Sequence, residues 1–181
     1  MALALAVAFA AAPALAAEPS TQLPPTSPAT TPLSVQFDAL SKITGRTYRI
    51  YVARPFAPPP KGGYPVIYVM DGDFMWATAA AQARLANLSG GRPALVVGVA
   101  YPNVMETQTA RAFDLTPSTP DAAAMKVAQL TGKPEDYGHA EAFHRFLTEE
   151  LRPLIAGNFQ TDPKDQSLIG YSLGGLFALH V

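Results

Sequence analysis

The sequence predicts an α/β fold: a central, mostly parallel sheet with helices on both faces. Three observations carry that expectation. Two early stretches alternate polar and apolar residues, three later runs are short and continuously apolar, and helical segments fall between those runs. Two antiparallel-looking strands followed by strand–helix alternation require a sheet covered on both sides. A length of 181 residues suits one domain with a buried core. Hydrophobic residues make up 49% and charged residues 15%, the balance of a globular chain and not of a disordered one.

The first residues, "MALALAVAFAAAPALAAEP", read as the apolar core of a signal peptide spanning residues 1–17, with a small-residue site at Ala14-Leu15-Ala16. The apolar run before Pro13 is shorter than the roughly 18 residues a spanning helix needs, so no membrane span is expected in the mature chain. No Lys or Arg precedes Lys42, which departs from the usual positive start and suggests an earlier start codon. The competing reading is a buried Ala-rich helix. Export predicts a periplasmic or secreted protein, and a cysteine-free chain is compatible with an oxidising compartment. Residues 18–32 mix Pro, Ser and Thr with little that is apolar, and read as a linker that cannot repay its ordering entropy.

Residues 33–181 carry the domain. "SVQFDAL" and "RTYRIYVARP" are half-buried strands, separated from the next element by the turn "FAPPPKGG". "YPVIYVM" is a buried strand that runs into Asp71-Gly72-Asp73, then an Ala-rich helix from Phe74 to Leu88 stopped by "GGRP". "ALVVGVAYP" is a second buried strand. Residues 102–138 show no clear period and read as a long loop excursion. "HAEAFHRFLTEELRPLIAGNF" is an amphipathic helix with Phe143, Phe146, Leu147, Leu151 and Ile155 on one face. "QSLIGYS" is a third buried strand, and "LGGLFALHV" begins another helix. Ligands of such a sheet gather at the C-terminal ends of its strands, where Asp71 and Ser172 fall.

Composition excludes several functions. A net charge of −1 offers no basic field for nucleic acid or anionic lipid. Without cysteine there are no disulfides, no thiol catalysis and no thiolate-bound metal.

The most chemical stretch is "GYSLGG" at residues 170–175. A buried strand enters it and a helix leaves, the context a Gly-x-Ser-x-Gly nucleophile elbow requires. The glycines remove side chains that would clash in so tight a turn, and the helix N-terminus favours a developing oxyanion. The bland alternative is a Ser-Gly helix start without chemistry. Asp71 and Asp73 could form the Asp-x-Asp of a Mg²⁺-dependent phosphotransferase, but Phe74-Met75 does not continue that motif. A polar strand-end turn is the plainer reading of those side chains. His139 and His144 lie five apart, about 140° around a helix, so they diverge and bind no common metal. Arg111 and Asp114 form either a surface ion pair or a substrate-binding pair in which Arg111 is a cation at the mouth for an anionic or catecholate group. Trp76 reads as core. Asn87-Leu88-Ser89 is a glycosylation acceptor in a eukaryotic secretory host.

The wording of four stretches, "GRTYRIYVARP", "YPVIYVMDGD", "FLTEELRPLI" and "SLIGYSLGGLFAL", resembles the esterase branch of the α/β-hydrolases that includes esterase D-like enzymes, mycolyltransferases and ferri-siderophore esterases. "RAFDLTPS" at 111–118 resembles the Arg-x-x-Asp-(Leu/Tyr)-Thr-Pro stretch of the siderophore-esterase group. The likeness spans residues 45–179. It implies Ser172 as nucleophile, the N–H of Leu173 as one oxyanion donor and the N–H of Asp73 as the second. It also implies acyl transfer from a small-molecule ester to water with no metal or cofactor, on substrates that include siderophores of the enterobactin or bacillibactin type. Simple esters, S-formylglutathione and acetylated sugars stay open. In that family the acid and the histidine follow the elbow, so the chain is expected to be an α/β-hydrolase fold cut after the elbow and nearly inactive alone. A non-catalytic binding protein or remnant on the same fold is the alternative.

Overall fold

The computed structural model describes residues 27–127 and 132–181. The signal-peptide reading of residues 1–17 lies outside them, as does most of the linker. The chain divides after Thr30. Of the first unit, residues 27–30 are described and carry neither helix nor strand. The second unit, Thr31–Val181, holds the sheet.

Five strands, β1 (Ser34–Leu40), β2 (Thr47–Ala53), β3 (Tyr64–Val69), β4 (Leu95–Ala100) and β5 (Thr161–Ile169), form one sheet in the order β1-β2-β4-β3-β5. β1 and β2 are antiparallel, as is β2 with β4, while β4, β3 and β5 run parallel. The alternation in the first two strands and the continuous runs in β3 and β4 follow from these positions. Every residue of β4 is buried, because strands flank it and helices cover both faces.

α1 (Gly72–Leu88) packs on β4 through Trp76, whose indole N–H donates to the Val96 carbonyl at 3.1 Å and whose ring stacks on Tyr51. Gly98 makes room for it: a Cβ there would stand 2.7 Å from the Trp76 side chain. Trp76 is core, as the sequence suggests. The long helical stretch comprises α4 (Ala140–Arg145), a π-helical turn (Phe146–Leu151) and α5 (Arg152–Asn158). All five residues expected on its apolar face are buried. The wide turn falls just before Pro153, which lacks an N–H for the fourth carbonyl back and crowds it; loosening that turn relieves both problems.

Two expectations need correction. Residues 102–138 are not all loop: they contain α2 (Thr107–Leu115), α3 (Ala122–Val127) and a 3₁₀ turn at Pro134–Asp136. "QSLIGYS" is not buried on both faces. β5 pairs only with β3 among the described strands, so it is an edge, and Ile169 is 41% exposed.

Candidate active site

β3 and β5 are parallel neighbours with Val69 opposite Ile169, and the ladder extends one step further as the Met70 N–H donates to the Ile169 carbonyl at 2.9 Å. The residues after both strands therefore emerge side by side. Asp71 takes the left-handed conformation at φ 54°, ψ 49°, turning the chain from β3 into α1. Its carbonyl accepts the N–H groups of Phe74 and Met75 at 2.9 and 3.0 Å, which starts the helix. Ser172 turns β5 into α6 (Leu173–His180) at φ 55°, ψ −119°. Asp tolerates the left-handed well, whereas Ser172 lies outside it and is strained, and such strain clusters at functional sites.

The glycines of the motif act through close approach. A Cβ on Gly170 would stand 2.2 Å from the carbonyl carbon of Gly174. A Cβ on Gly174 would meet a carboxylate oxygen of Asp71 at 2.9 Å and the Met70 side chain at 3.1 Å. The elbow and the turn after β3 are thus in direct contact. Ser172 is exposed, and no hydrogen bond engages its hydroxyl among the described residues. The backbone N–H groups of Leu173 and Asp73 are likewise unengaged there, each in the first turn of a helix. The Asp73 carboxylate accepts from the Tyr51 hydroxyl and the Tyr101 N–H, both at 3.3 Å, so its side chain serves the turn's own fixation.

"RAFDLTPS" is α2 and its exit. The Arg111 guanidinium donates through Nε and one terminal nitrogen to both oxygens of Asp71, each at 2.8 Å. The side chains are 12% and 4% exposed. Hydrogen bonding to Asp71 raises the Arg111 pKa above its ordinary value, so the charge is permanent. Thr116 leaves the helix in an extended conformation, as a residue before proline tends to do. Its hydroxyl donates to the Ala112 carbonyl and accepts the Gly138 N–H, both at 2.7 Å.

The sequence expectation for Arg111 and Asp114 is a shared long loop, with a surface ion pair or a substrate-binding pair. They lie on one helix and do not pair. Arg111 is occupied by Asp71, and Asp114 is fully buried with neither oxygen in a hydrogen bond of ordinary geometry. Burial pushes the Asp114 carboxyl up to about 6; Arg46, the Tyr101 and Tyr48 hydroxyls and His139 act in the opposite direction. The Tyr48 hydroxyl donates elsewhere, to Thr44 at 3.0 Å. Sequence reading missed Asp71 as the partner of Arg111, since forty positions separate the two.

None of the three histidines is hydrogen-bonded to Ser172. His139 stacks on Phe113 with ring centroids 3.6 Å apart, and Arg46 lies over the same Phe113 ring. His144 lines a cavity of about 220 Å³ beside β5 that does not include Ser172. His180 is exposed in the last turn of α6.

A mixed sheet with a serine elbow between a parallel strand and a helix is the arrangement of an α/β-hydrolase. The chain belongs to the family described as "Putative esterase", which it matches over residues 41–181. It is 38% identical over 145 residues to the ferri-bacillibactin esterase BesA of Bacillus subtilis, covering 78% of this chain and 50% of that protein. It is 35% identical over 165 residues to the siderophore triacetylfusarinine C esterase of Aspergillus fumigatus, covering 85% and 52%. Among solved structures, the BES protein of Bacillus cereus superposes with a TM-score of 0.76 at 37% identity, covering 86% of this chain and 59% of that one. The chain spans about half the length of the curated relatives it matches.

Proposed function

We infer that the protein carrying this chain is a serine carboxylic-ester hydrolase acting on siderophore-type esters through an acyl-enzyme on Ser172. The observation that supports this best is Ser172 itself. It is exposed at positive φ between β5 and α6, with two unengaged N–H groups in the adjoining helix starts. The related siderophore esterases favour that substrate class over simple esters.

In this reading the Ser172 oxygen attacks the ester carbonyl carbon while a general base takes the hydroxyl proton. The carbonyl π-bond opens, and its oxygen carries the negative charge. The Leu173 and Asp73 N–H groups stabilise that charge where the α6 and α1 helix dipoles also favour it. Collapse of the intermediate expels the alcohol, which takes a proton from the conjugate acid. Water then repeats the sequence on the acyl-serine and frees the acid and Ser172. His139, His144 and His180 do not engage Ser172, and in the family the histidine follows the elbow, so none of them is assigned the base.

The Ala14-Leu15-Ala16 site supports export to the periplasm or beyond. Among the described residues no helix is long and apolar enough to cross a membrane. The test is hydrolysis by the full-length protein of a ferric trilactone siderophore and of p-nitrophenyl acetate, followed by mass spectrometry. The siderophore lactone should be opened with the higher kcat/KM, and Ser172→Ala should abolish both reactions. A preference for the simple ester would contradict the substrate class.

A further inference from the structure

The geometry points to Arg111 as a positioning residue that clamps the turn carrying the Asp73 N–H against the serine elbow, acting through Asp71. The effect on rate rests on the esterase reading above; the clamp itself does not.

The Asp71 carboxylate occupies a narrow place. On one side it receives both arms of the Arg111 fork at 2.8 Å. On the other, one of its oxygens lies where a Cβ on Gly174 would approach to 2.9 Å, so the carboxylate sits directly against the elbow helix. Asp71 is left-handed at φ 54°, ψ 49°, a well that few non-glycine residues other than Asp and Asn occupy readily. The same residue starts α1 by accepting the N–H groups of Phe74 and Met75, which fixes the direction of the Asp73 N–H just before them. A bidentate guanidinium–carboxylate pair fixes orientation as well as distance.

Arg111 is placed from below. Ala110, Asp114 and Leu115 of α2 are buried, and α2 packs against both α4 and α6. One helix therefore rests on the elbow helix and reaches with Arg111 to the opposite turn. If an oxyanion is to receive hydrogen bonds from Leu173 and Asp73 together, the spacing of these two segments decides the rate. A misplacement of about 1 Å costs on the order of 10²-fold.

The variants Arg111→Ala, Arg111→Lys, Asp71→Asn and the double variant Arg111→Ala/Asp71→Asn are compared in the full-length protein, using a neutral ester and an anionic ester of the same alcohol. Arg111→Ala should lower kcat about 10²-fold on both, with KM changed less than about threefold. Asp71→Asn should lose a similar factor, the double variant no more than either single one, and Arg111→Lys should recover only part. A loss confined to the anionic ester and expressed in KM would overturn the clamp and make Arg111 a substrate cation. Amide hydrogen exchange gives a second readout that needs no turnover. Arg111→Ala should accelerate exchange at Phe74, Met75, Gly174 and Leu176 by about tenfold or more while β2 and β4 amides keep their protection. If β2 and β4 also lose protection, the same comparison is read in Arg111→Lys. Unchanged exchange at those four amides would overturn the clamp, even where Ser172→Ala shows that turnover belongs to another residue.

Discussion

Gly170 and Gly174 approach so closely that a Cβ on the first would lie 2.2 Å from the carbonyl carbon of the second. No side-chain rotation relieves a backbone contact of that kind. Gly170→Ala should therefore push α6 off the end of β5 and cost about 2–3 kcal/mol, the range of a severe overpacking. Urea unfolding of the full-length protein measures it. An unchanged midpoint would mean that the elbow is not built this tightly.

Asp114 predicts a pH dependence of stability. Its folded pKa is about 6, against an ordinary 3.8, because burial disfavours the carboxylate. The fold thus binds the proton more tightly than the unfolded chain does. The resulting stabilisation is complete below pH 3.8 and is lost as pH rises through about 6. At 1.36 kcal/mol per unit, the change is on the order of 3 kcal/mol. Tyr48, Tyr101, Arg46 and His139 surround the group and set where the loss falls. Asp114→Asn should remove this part of the pH profile and be the more stable protein at pH 8. Parallel stability curves for the two proteins from pH 4 to pH 8 would contradict the assignment.

Trp76 and Gly98 should be energetically coupled. Gly98→Ala forces a methyl to within 2.7 Å of the Trp76 side chain and should cost about 1–3 kcal/mol. Trp76→Ala should cost about 3–5 kcal/mol through the space it leaves. In the Trp76→Ala background the added methyl has room, so Gly98→Ala should then cost little. Additive losses in the double-mutant cycle would show that the two do not meet.

Much of the sheet was legible because its signals are local. Alternation in β1 and β2, and unbroken apolar runs in β3 and β4, each report the surroundings of their own strand. α2 was not legible. It has nine residues, and its buried face includes Thr107 and Asp114, so the apolar period that marks a helix is interrupted by polar groups. The exposure along β5 was not legible, because a run such as Leu168-Ile169 reads as buried whether or not both faces and edges are covered. At the site, Ser172 announces itself through its glycines. The Arg111–Asp71 pair does not, because each half has an ordinary local reading: a surface cation in one case, a strand-end turn in the other. Only the packing of α2 on α4 and α6, from which Arg111 reaches the turn after β3, joins them.

The central claim is that Ser172 is the nucleophile held by this elbow. The most direct measurement is reaction of the full-length protein with a fluorophosphonate, followed by peptide mass spectrometry. The phosphonyl group should be found on Ser172 alone, and Ser172→Ala should take up none. A stoichiometric adduct on another serine, or labelling that persists in Ser172→Ala, would contradict the account.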